Sequence, residues 1–279
     1  MKISHPFNDS FSANGYLMTT TVQIVASCIE GLAERGIQFM ESLVKVFNYY
    51  DVNSELSKLN NSKKNTWVKL SDKLYSVLHL SKYLQDQTKS FFRVDFQGMK
   101  DAPNGEHGFF LDENAQAAML NTDTKINLGG IGKGFIVDQT YEFLLANGAD
   151  NILVNAGGDI RVKSNSYSWK LGLHNPYNSD CPFGCIQLKT GALATSGTYA
   201  RHEMHQSNLS THFYDTENNL FMESPPYVQV SMVGDTTSEC EVYAKCILMG
   251  KEIPLPKDYY GVGVDNKKQV KKINYGGIN

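Results

Sequence analysis

The chain has 279 residues and a mass of 31.2 kDa, so it can bury a sizeable core as one large domain or as two packed lobes. Hydrophobic residues make up 41% and charged residues 20%, which is typical of a soluble globular protein. A formal net charge of −3 and a pI near 6.2 argue against nucleic acid and anionic membranes as partners, and no run approaches the roughly 18 apolar residues of a membrane span.

Residues 1–14 form a polar lead-in that lacks the apolar segment of a signal peptide. The sequence as written therefore predicts a cytoplasmic protein, and a periplasmic or membrane-anchored one if a leader has been removed. The five cysteines, at positions 28, 181, 185, 240 and 246, are odd in number and scattered, so they do not predict a disulfide framework.

Strands and helices interleave along the first half of the chain. The stretch YLMTTTVQIVAS is rich in β-branched residues and predicts a strand. GLAERGIQFMESLVKVFNYY and SDKLYSVLHLSKYLQDQT predict amphipathic helices, the second with Ser71 as its N-cap, and the DVNSELSKLNNS segment between them is rich in capping residues. KDAPNGEHG, residues 100–108, is turn-rich and marks a possible boundary between two lobes.

The second half predicts more strands than helices. GKGFIVDQTYEFLLANG predicts a helix ending at Gly148, and TSECEVYAKCILMG predicts a short helix ending at Gly250. NILVNAGGDIRVK is typical of a strand, a glycine turn and a second strand, and further strands are predicted in SWKLGLHNP, CIQLKTGALATSG and PYVQVSMVG. We expect one α+β domain over residues 15–279, with a mixed β-sheet core and flanking helices.

The segment INLGGIGKGFIVDQ, residues 126–139, is the first candidate for a binding site. It fits neither common nucleotide-binding pattern. In the dinucleotide pattern G-x-G-x-x-G, Phe135 replaces the last glycine. In the P-loop pattern G-x-x-x-x-G-K-[ST], Asn127 replaces the first glycine and Gly134 replaces the hydroxyl residue. A helix N-terminus and Lys133 would both favour an anion, so a phosphorylated ligand is one interpretation. The other is that the glycines only permit close helix–strand packing and that Lys133 is solvent-exposed.

Two further glycine turns carry polar residues. VNAGGDIRV contains Asp159, and LATSGTYAR contains Thr195, Ser196 and Gly197. Three such turns in one half of the chain predict a cofactor cleft, where the backbone must come close to a ligand. His212, in LSTHFYDTENN, lies near a carboxylate in sequence and has either a structural or a catalytic role.

The order and spacing of seven motifs resemble the ApbE family, the FAD:protein FMN transferases. The motifs are MTTTVQIV, NYYDVNSELSKLN, INLGGIGKGFIVDQ, LVNAGGDIRV, ALATSGTYAR, THFYD and CEVYAKCILMG, and they span roughly residues 15–250. The resemblance implies an ApbE-like fold with two closely packed lobes around a flavin cleft. It also implies cleavage of the FAD diphosphate and transfer of FMN, as a phosphoester, to a threonine or serine of an acceptor flavoprotein, assisted by Mg²⁺.

The resemblance also implies roles for individual residues. His212 would activate the acceptor hydroxyl or assist phosphoryl transfer, and Lys133 would act on the diphosphate. The Gly130 carbonyl would bind the metal, and Met18 and Tyr50 would border a planar ring. The expected FAD-binding residues are Met18, Tyr50, Asn127, Lys133, Asp159, Thr195, Ser196, Gly197, Phe213 and Lys245.

Three motifs depart from the family pattern. Where the family has an aspartate and a threonine as magnesium ligands, this chain has Glu241 and Lys245. Glu241 can still bind the metal ion in the aspartate's place, whereas the ammonium of Lys245 cannot. Lys245 therefore either forms an ordinary i,i+4 pair with Glu241 on an exposed helix or places its ammonium where the metal would be. Arg93 stands in the place of another motif's aspartate, and the proline, arginine and glycine that follow the family's histidine are replaced in YDTENN.

These departures leave two alternatives to an FMN transferase. One is a flavin-binding protein without transferase activity, acting as a carrier or a sensor. The other is an FAD pyrophosphatase that releases FMN and AMP.

Overall fold

The computed structural model of the protein describes residues 10–27, 29–95, 108–121, 124–178, 180–198, 214–215, 220–222 and 224–275. Its helices are α1 (Leu32–Phe47), α2 (Glu55–Asn60), α3 (Asp72–Gln87), α4 (Gly132–Ala146) and α5 (Thr237–Leu248). Its strands are β1 (Ser10–Leu17), β2 (Thr20–Ser27), β3 (Val68–Lys69), β4 (Phe109–Asp112), β5 (Ala117–Leu120), β6 (Ile152–Ala156), β7 (Asp159–Lys163), β8 (Trp169–Leu173), β9 (Gly184–Leu188), β10 (Thr190–Gly197), β11 (Tyr214–Asp215), β12 (Leu220–Phe221), β13 (Tyr227–Gly234), β14 (Tyr260–Asp265) and β15 (Val270–Ile273).

The centre of the fold is an eight-stranded sheet in the order β1-β2-β6-β7-β10-β13-β14-β15. Each pairing between these strands is antiparallel, so the predicted α+β class is confirmed, but the sheet is antiparallel and not mixed. For three of these pairings the reason is local: β1–β2, β6–β7 and β14–β15 are hairpins, and a short turn can only join antiparallel strands.

The predicted first strand is in fact the turn and second strand of a hairpin. Met18 and Thr19 form its two-residue turn, with φ angles of 52° and 59°, and Leu17 pairs with Thr20. Because β1 begins at Ser10, the last residues of the predicted polar lead-in belong to the sheet.

The helices α1, α4 and α5 cover one face of this sheet. Helices α1 and α4 run antiparallel. The Phe39 ring stacks on the Phe143 ring with centroids 4.7 Å apart, and the Phe47 ring packs edge-on against the Phe135 ring with centroids 5.8 Å apart. The C-terminal end of α1 therefore lies beside the N-terminal end of α4, where the glycine-rich loop ends.

The other face of the sheet carries a second core under the β8–β9 hairpin. Trp169 and Leu171 of β8 pack there with Leu193 and Val233 of the main sheet. A separate three-stranded sheet, β3-β5-β4, adjoins the helical side. Residues 100–107 of the predicted lobe boundary lie outside the described residues, so that boundary stays a prediction.

The predicted helix ends agree with the structure. The Ser71 hydroxyl accepts from the Leu74 amide at 3.3 Å, and Ser54 caps α2 in the same way at 3.0 Å. Gly148 follows the end of α4 with a φ of 89°, which a glycine adopts without strain. None of the helices in the described part of the chain is long and apolar enough to span a membrane.

Candidate functional site

The glycine-rich loop before α4 is anchored from two sides. The buried Asn60 carboxamide donates to the Ile126 carbonyl and accepts from the Ile126 amide, both at 2.8 Å. The next amide, of Asn127, donates to the Val94 carbonyl at 2.7 Å. Asn60 was not predicted as a site-forming residue, because no local pattern marks a contact between residues 66 positions apart.

Asn127 shapes the loop through its own side chain. Its Oδ1 accepts from the Gly129 amide at 2.8 Å, and the Leu128 carbonyl accepts from the amides of Ile131 and Gly132 at 3.0 and 2.7 Å. The chain therefore turns tightly and enters α4 at once. The expected contact of Asn127 with FAD remains a prediction.

Helix α5 crosses the first turn of α4 at very close range. A Cβ atom added to Gly134 would lie 2.7 Å from the Thr237 carbonyl oxygen and 2.8 Å from both the amide nitrogen and the Cα of Ser238. All three are backbone atoms, which cannot rotate away. This crossing explains why the position that carries a hydroxyl in P-loops is a glycine here.

Asp138, one turn further along α4, joins the two helices. Its carboxylate accepts from the Thr237 amide at 2.9 Å, and from the amide and hydroxyl of Ser238 at 2.8 and 2.5 Å. It also pairs with Arg161 of β7 at 2.7 Å. This role was not predicted; a carboxylate directly after the apolar FIV segment of the helix is the sequence signal that could have indicated it.

Glu241 of α5 lies over the N-terminus of α4. Its Oε2 accepts from the Gly134 amide at 2.9 Å, and its side chain is 3% exposed. The N-cap residue of α4, Ile131, has no side-chain oxygen for this purpose. Glu241 thus places a buried carboxylate at the positive end of another helix, which is a favourable electrostatic arrangement.

Lys245 links α5 back to the loop. Its Nζ donates to Glu241 Oε1 at 2.8 Å and to the Gly129 carbonyl at 2.9 Å, and 18% of its side chain is exposed. The i,i+4 pair exists, but it is not on an open helix surface. The carbonyl used is that of Gly129; at Gly130, the residue predicted to bind a metal, an added Cβ would lie 3.9 Å from the ammonium.

A second ion pair joins Lys133 of α4 to Asp159 of β7. Asp159 is 2% exposed, Lys133 is 32% exposed, and the other oxygen of Asp159 lies 3.4 Å from the Thr195 amide, which donates to it. The turn before Asp159 packs on the first hairpin, where the Gly157 amide donates to the Thr21 carbonyl at 3.1 Å. This contact brings the hairpin that carries Met18 next to the ion pair.

The two ion pairs form one electrostatic cluster, defined here as the corner of Lys133, Asp159, Glu241 and Lys245. Burial raises the pKa of Asp159 in spite of Lys133 and Lys245. Burial also acts to raise the pKa of Glu241, but Lys245 and Lys133 outweigh it and hold that pKa below its usual value. Since the carboxylates are buried and the lysines keep accessible area, the accessible side of the corner is cationic.

The other predicted cofactor-binding residues lie on several elements of the fold. Tyr50 follows α1 and is 87% exposed, and Met18 is half-buried in the hairpin turn. The Thr195 hydroxyl hydrogen-bonds the Ser231 hydroxyl at 2.9 Å, on the sheet face opposite to that of the buried Ser196. Gly197 ends β10. His212 and Phe213 lie outside the described residues.

Arg93, which replaces the family's aspartate, has a carboxylate partner two residues away. Its Nε and Nη2 donate to Asp95 at 2.8 and 3.0 Å, and Asp95, fully buried, also accepts from the Gly108 amide at 2.6 Å. The pair flanks Val94, whose carbonyl accepts from the Asn127 amide of the glycine-rich loop. Arg93 therefore has a structural role in addition to any contact with a ligand.

The corner does not fit a resident Mg²⁺ ion. Magnesium needs several oxygen ligands at about 2.0–2.1 Å, whereas here an ammonium lies at 2.8 and 2.9 Å from the oxygens of Glu241 and Gly129. Among the described residues no group of three or more His, Cys, Asp or Glu side chains could hold a metal ion.

The comparisons with known proteins agree with this fold. The model of the ApbE family matches residues 18–253, and the chain belongs to this family. The ApbE protein of Thermotoga maritima MSB8 has a similar structure, with a TM-score of 0.80 at 21% identity, covering 95% of this chain and 97% of that one.

Two relatives are FAD:protein FMN transferases. That of Buchnera aphidicola (subsp. Schizaphis graminum) is 21% identical over 252 residues, 79% of this chain and 72% of its own length. That of Klebsiella pneumoniae (strain 342) is 25% identical over 116 residues, 41% of this chain and 36% of its own. This match thus spans about a third of the Klebsiella protein.

Proposed function

We propose that this protein is an FAD:protein FMN transferase. Membership of the ApbE family over residues 18–253 and the names of its relatives support this function. The observation that carries the proposal is the corner itself, where two partly accessible lysine side chains pair with buried carboxylates beside the start of α4. Such a surface suits a diphosphate, which carries two negative charges at neutral pH.

The reaction exchanges the phosphoanhydride bond of FAD for a phosphoester bond to the acceptor. The oxygen of an acceptor serine or threonine attacks the phosphorus on the flavin side of the FAD diphosphate, and the bond from that phosphorus to the bridging oxygen breaks. AMP leaves with that oxygen and its electron pair, and the hydroxyl proton passes to a base. The products are FMN joined to the acceptor through a phosphoester, and AMP.

In this proposal Lys133 and Lys245 bind the diphosphate and stabilise the charge that accumulates on its oxygens. Preorganised charges of this kind contribute more in a low-dielectric site than in water. His212 is proposed as the base for the acceptor hydroxyl. Met18 and Tyr50 are proposed to contact the planar rings of FAD, for which an apolar and an aromatic side chain are suited.

The remaining proposed contacts follow the predicted set. Asp159 orients Lys133 through their ion pair and accepts from the Thr195 amide of β10. The other residues proposed to line the FAD site are Asn127, Thr195, Ser196, Gly197 and Phe213. Gly130 and Glu241 are not proposed as metal ligands, because Lys245 occupies the position between Glu241 and the loop.

The test mixes the purified protein with FAD and an acceptor flavoprotein. Covalent flavin on the acceptor is measured by mass spectrometry, and AMP is measured by chromatography. An acceptor mass increase equal to FMN less water, with one AMP per transfer, is the expected result. AMP without covalent flavin would show an FAD pyrophosphatase, and tight FAD binding without either product would show a flavin carrier or sensor.

A further inference from the structure

We propose that Lys245 is the resident cation of the FAD site, so that this protein binds the FAD diphosphate without a divalent metal. The inference rests on the proposed function, because it concerns the same diphosphate. In this proposal the ammonium of Lys245 binds the diphosphate in place of the Mg²⁺ that the family resemblance implies.

The first argument is the position of the ammonium. Lys245 Nζ lies between the Glu241 carboxylate, at 2.8 Å, and the Gly129 carbonyl, at 2.9 Å. These are two oxygens of the type that Mg²⁺ prefers, from a helix and from the glycine-rich loop. A bound metal would have to displace the ammonium from both, and the lysine itself offers it no lone pair.

The second argument is that Glu241 cannot easily turn to another cation. Its Oε2 accepts from the Gly134 amide at 2.9 Å, and the contact of Gly134 with the α5 backbone fixes the distance between the two helices. The carboxylate is 3% exposed. Its two oxygens are therefore both engaged, one by a backbone amide and one by Lys245.

The third argument is the balance of charge on the accessible side. Lys245 and Lys133 keep 18% and 32% of their side chains accessible, whereas Glu241 and Asp159 keep 3% and 2%. A diphosphate approaching the corner meets two ammonium groups, one for each of its negative charges. A divalent cation would duplicate charge that the protein already supplies.

The test measures FAD binding by isothermal titration calorimetry, once in EDTA and once in millimolar Mg²⁺. The wild-type Kd is expected to differ by less than about twofold between the two buffers, and this arm requires no substitution. If FAD binds only with Mg²⁺, the proposal is overturned while the proposed function stands. If FAD binds in neither buffer, the proposed function itself fails.

A variant then tests Lys245 directly. Lys245→Ala is expected to weaken FAD binding about 10- to 100-fold in EDTA, the usual effect of losing a hydrogen bond to a charged group. Mg²⁺ is expected to tighten FAD binding by this variant at least tenfold, because the substitution leaves the Glu241 and Gly129 oxygens open to a metal. Unchanged binding of this variant in EDTA would overturn the proposal.

Lys45→Ala is the matched control. Lys45 is also a lysine in the last turn of a helix, but it is exposed on α1 and lies outside the corner. Its loss should leave FAD binding unchanged in both buffers. A decrease equal to that of Lys245→Ala would show a general effect of net charge and would contradict the assignment.

Discussion

Replacing Gly134 with alanine tests how closely α4 and α5 approach at the corner. The added Cβ would lie 2.7 Å from the Thr237 carbonyl oxygen and 2.8 Å from two backbone atoms of Ser238. No side-chain rotation relieves these contacts, so α5 has to move. Glu241, which accepts from the Gly134 amide, would move with it.

The expected cost follows from two opposing effects. Overpacking a close contact typically costs about 1–3 kcal/mol, and replacing a helical glycine with alanine returns up to about 1 kcal/mol. Because all three contacts are with backbone atoms, we take the upper part of the overpacking range, about 2–3 kcal/mol, and expect Gly134→Ala to lower the free energy of unfolding by about 1–2 kcal/mol. For a chain of this size that corresponds to roughly 2–8 °C in Tm.

Gly132→Ala provides a control on the same helical turn. The nearest atom to its added Cβ is the Leu128 Cβ at 3.4 Å, which is an ordinary contact, so we expect unchanged or slightly higher stability. Urea unfolding of both variants, followed by circular dichroism, measures the difference. Equal midpoints for Gly134→Ala and Gly132→Ala would refute the close crossing of α4 and α5.

Three further predictions address the site and its support. His212→Ala and Lys133→Ala should each reduce covalent FMN transfer below detection, since losing one electrostatic contact typically costs about 10²–10³ in rate; near-normal transfer by either variant in the mass-spectrometric assay would remove that residue from the mechanism. Asp138→Ala removes the acceptor of two amides of α5 and leaves the partly buried Arg161 guanidinium without its nearer carboxylate, so it should cost about 3–5 kcal/mol in urea unfolding; a loss below 1 kcal/mol would contradict its linking role. The pKa of Glu241 is lower in the folded state than its usual value of 4.5. Its stabilising contribution is therefore fully present at pH values above 4.5 and is lost as the pH falls through the folded-state pKa. The difference in unfolding free energy between wild type and Glu241→Gln should therefore shrink in acid, and a difference that grows there would show the opposite shift.

The parts of the fold that could be predicted are those that depend on residues close together in the sequence. The periodicity of α1 and the hydroxyl of Ser71 act within a few residues, so the pattern and the structure agree. The first hairpin was missed because its turn consists of Met18 and Thr19, which rarely adopt a positive φ, and no glycine or asparagine marks it.

In the site, too, features of the local sequence were predicted and contacts between distant residues were not. The glycine turns and the lysines were predicted as site residues, and the structure brings Lys133, Asp159, Glu241 and Lys245 together. The supporting contacts were not predicted, because Asn60 holds a segment 66 positions away, a pairing that depends on the tertiary fold. Likewise, the partner of Lys245 is the Gly129 carbonyl, and only the course of the loop decides which carbonyl faces α5.

The central claim is that the two lysines of the corner bind the FAD diphosphate, and a crystal structure of the protein with FAD in EDTA tests it most directly. We expect diphosphate oxygens within about 3.2 Å of the Nζ atoms of both Lys133 and Lys245, with no metal density between them. A diphosphate bound elsewhere, or one that reaches the loop only through a metal ion, would contradict the account.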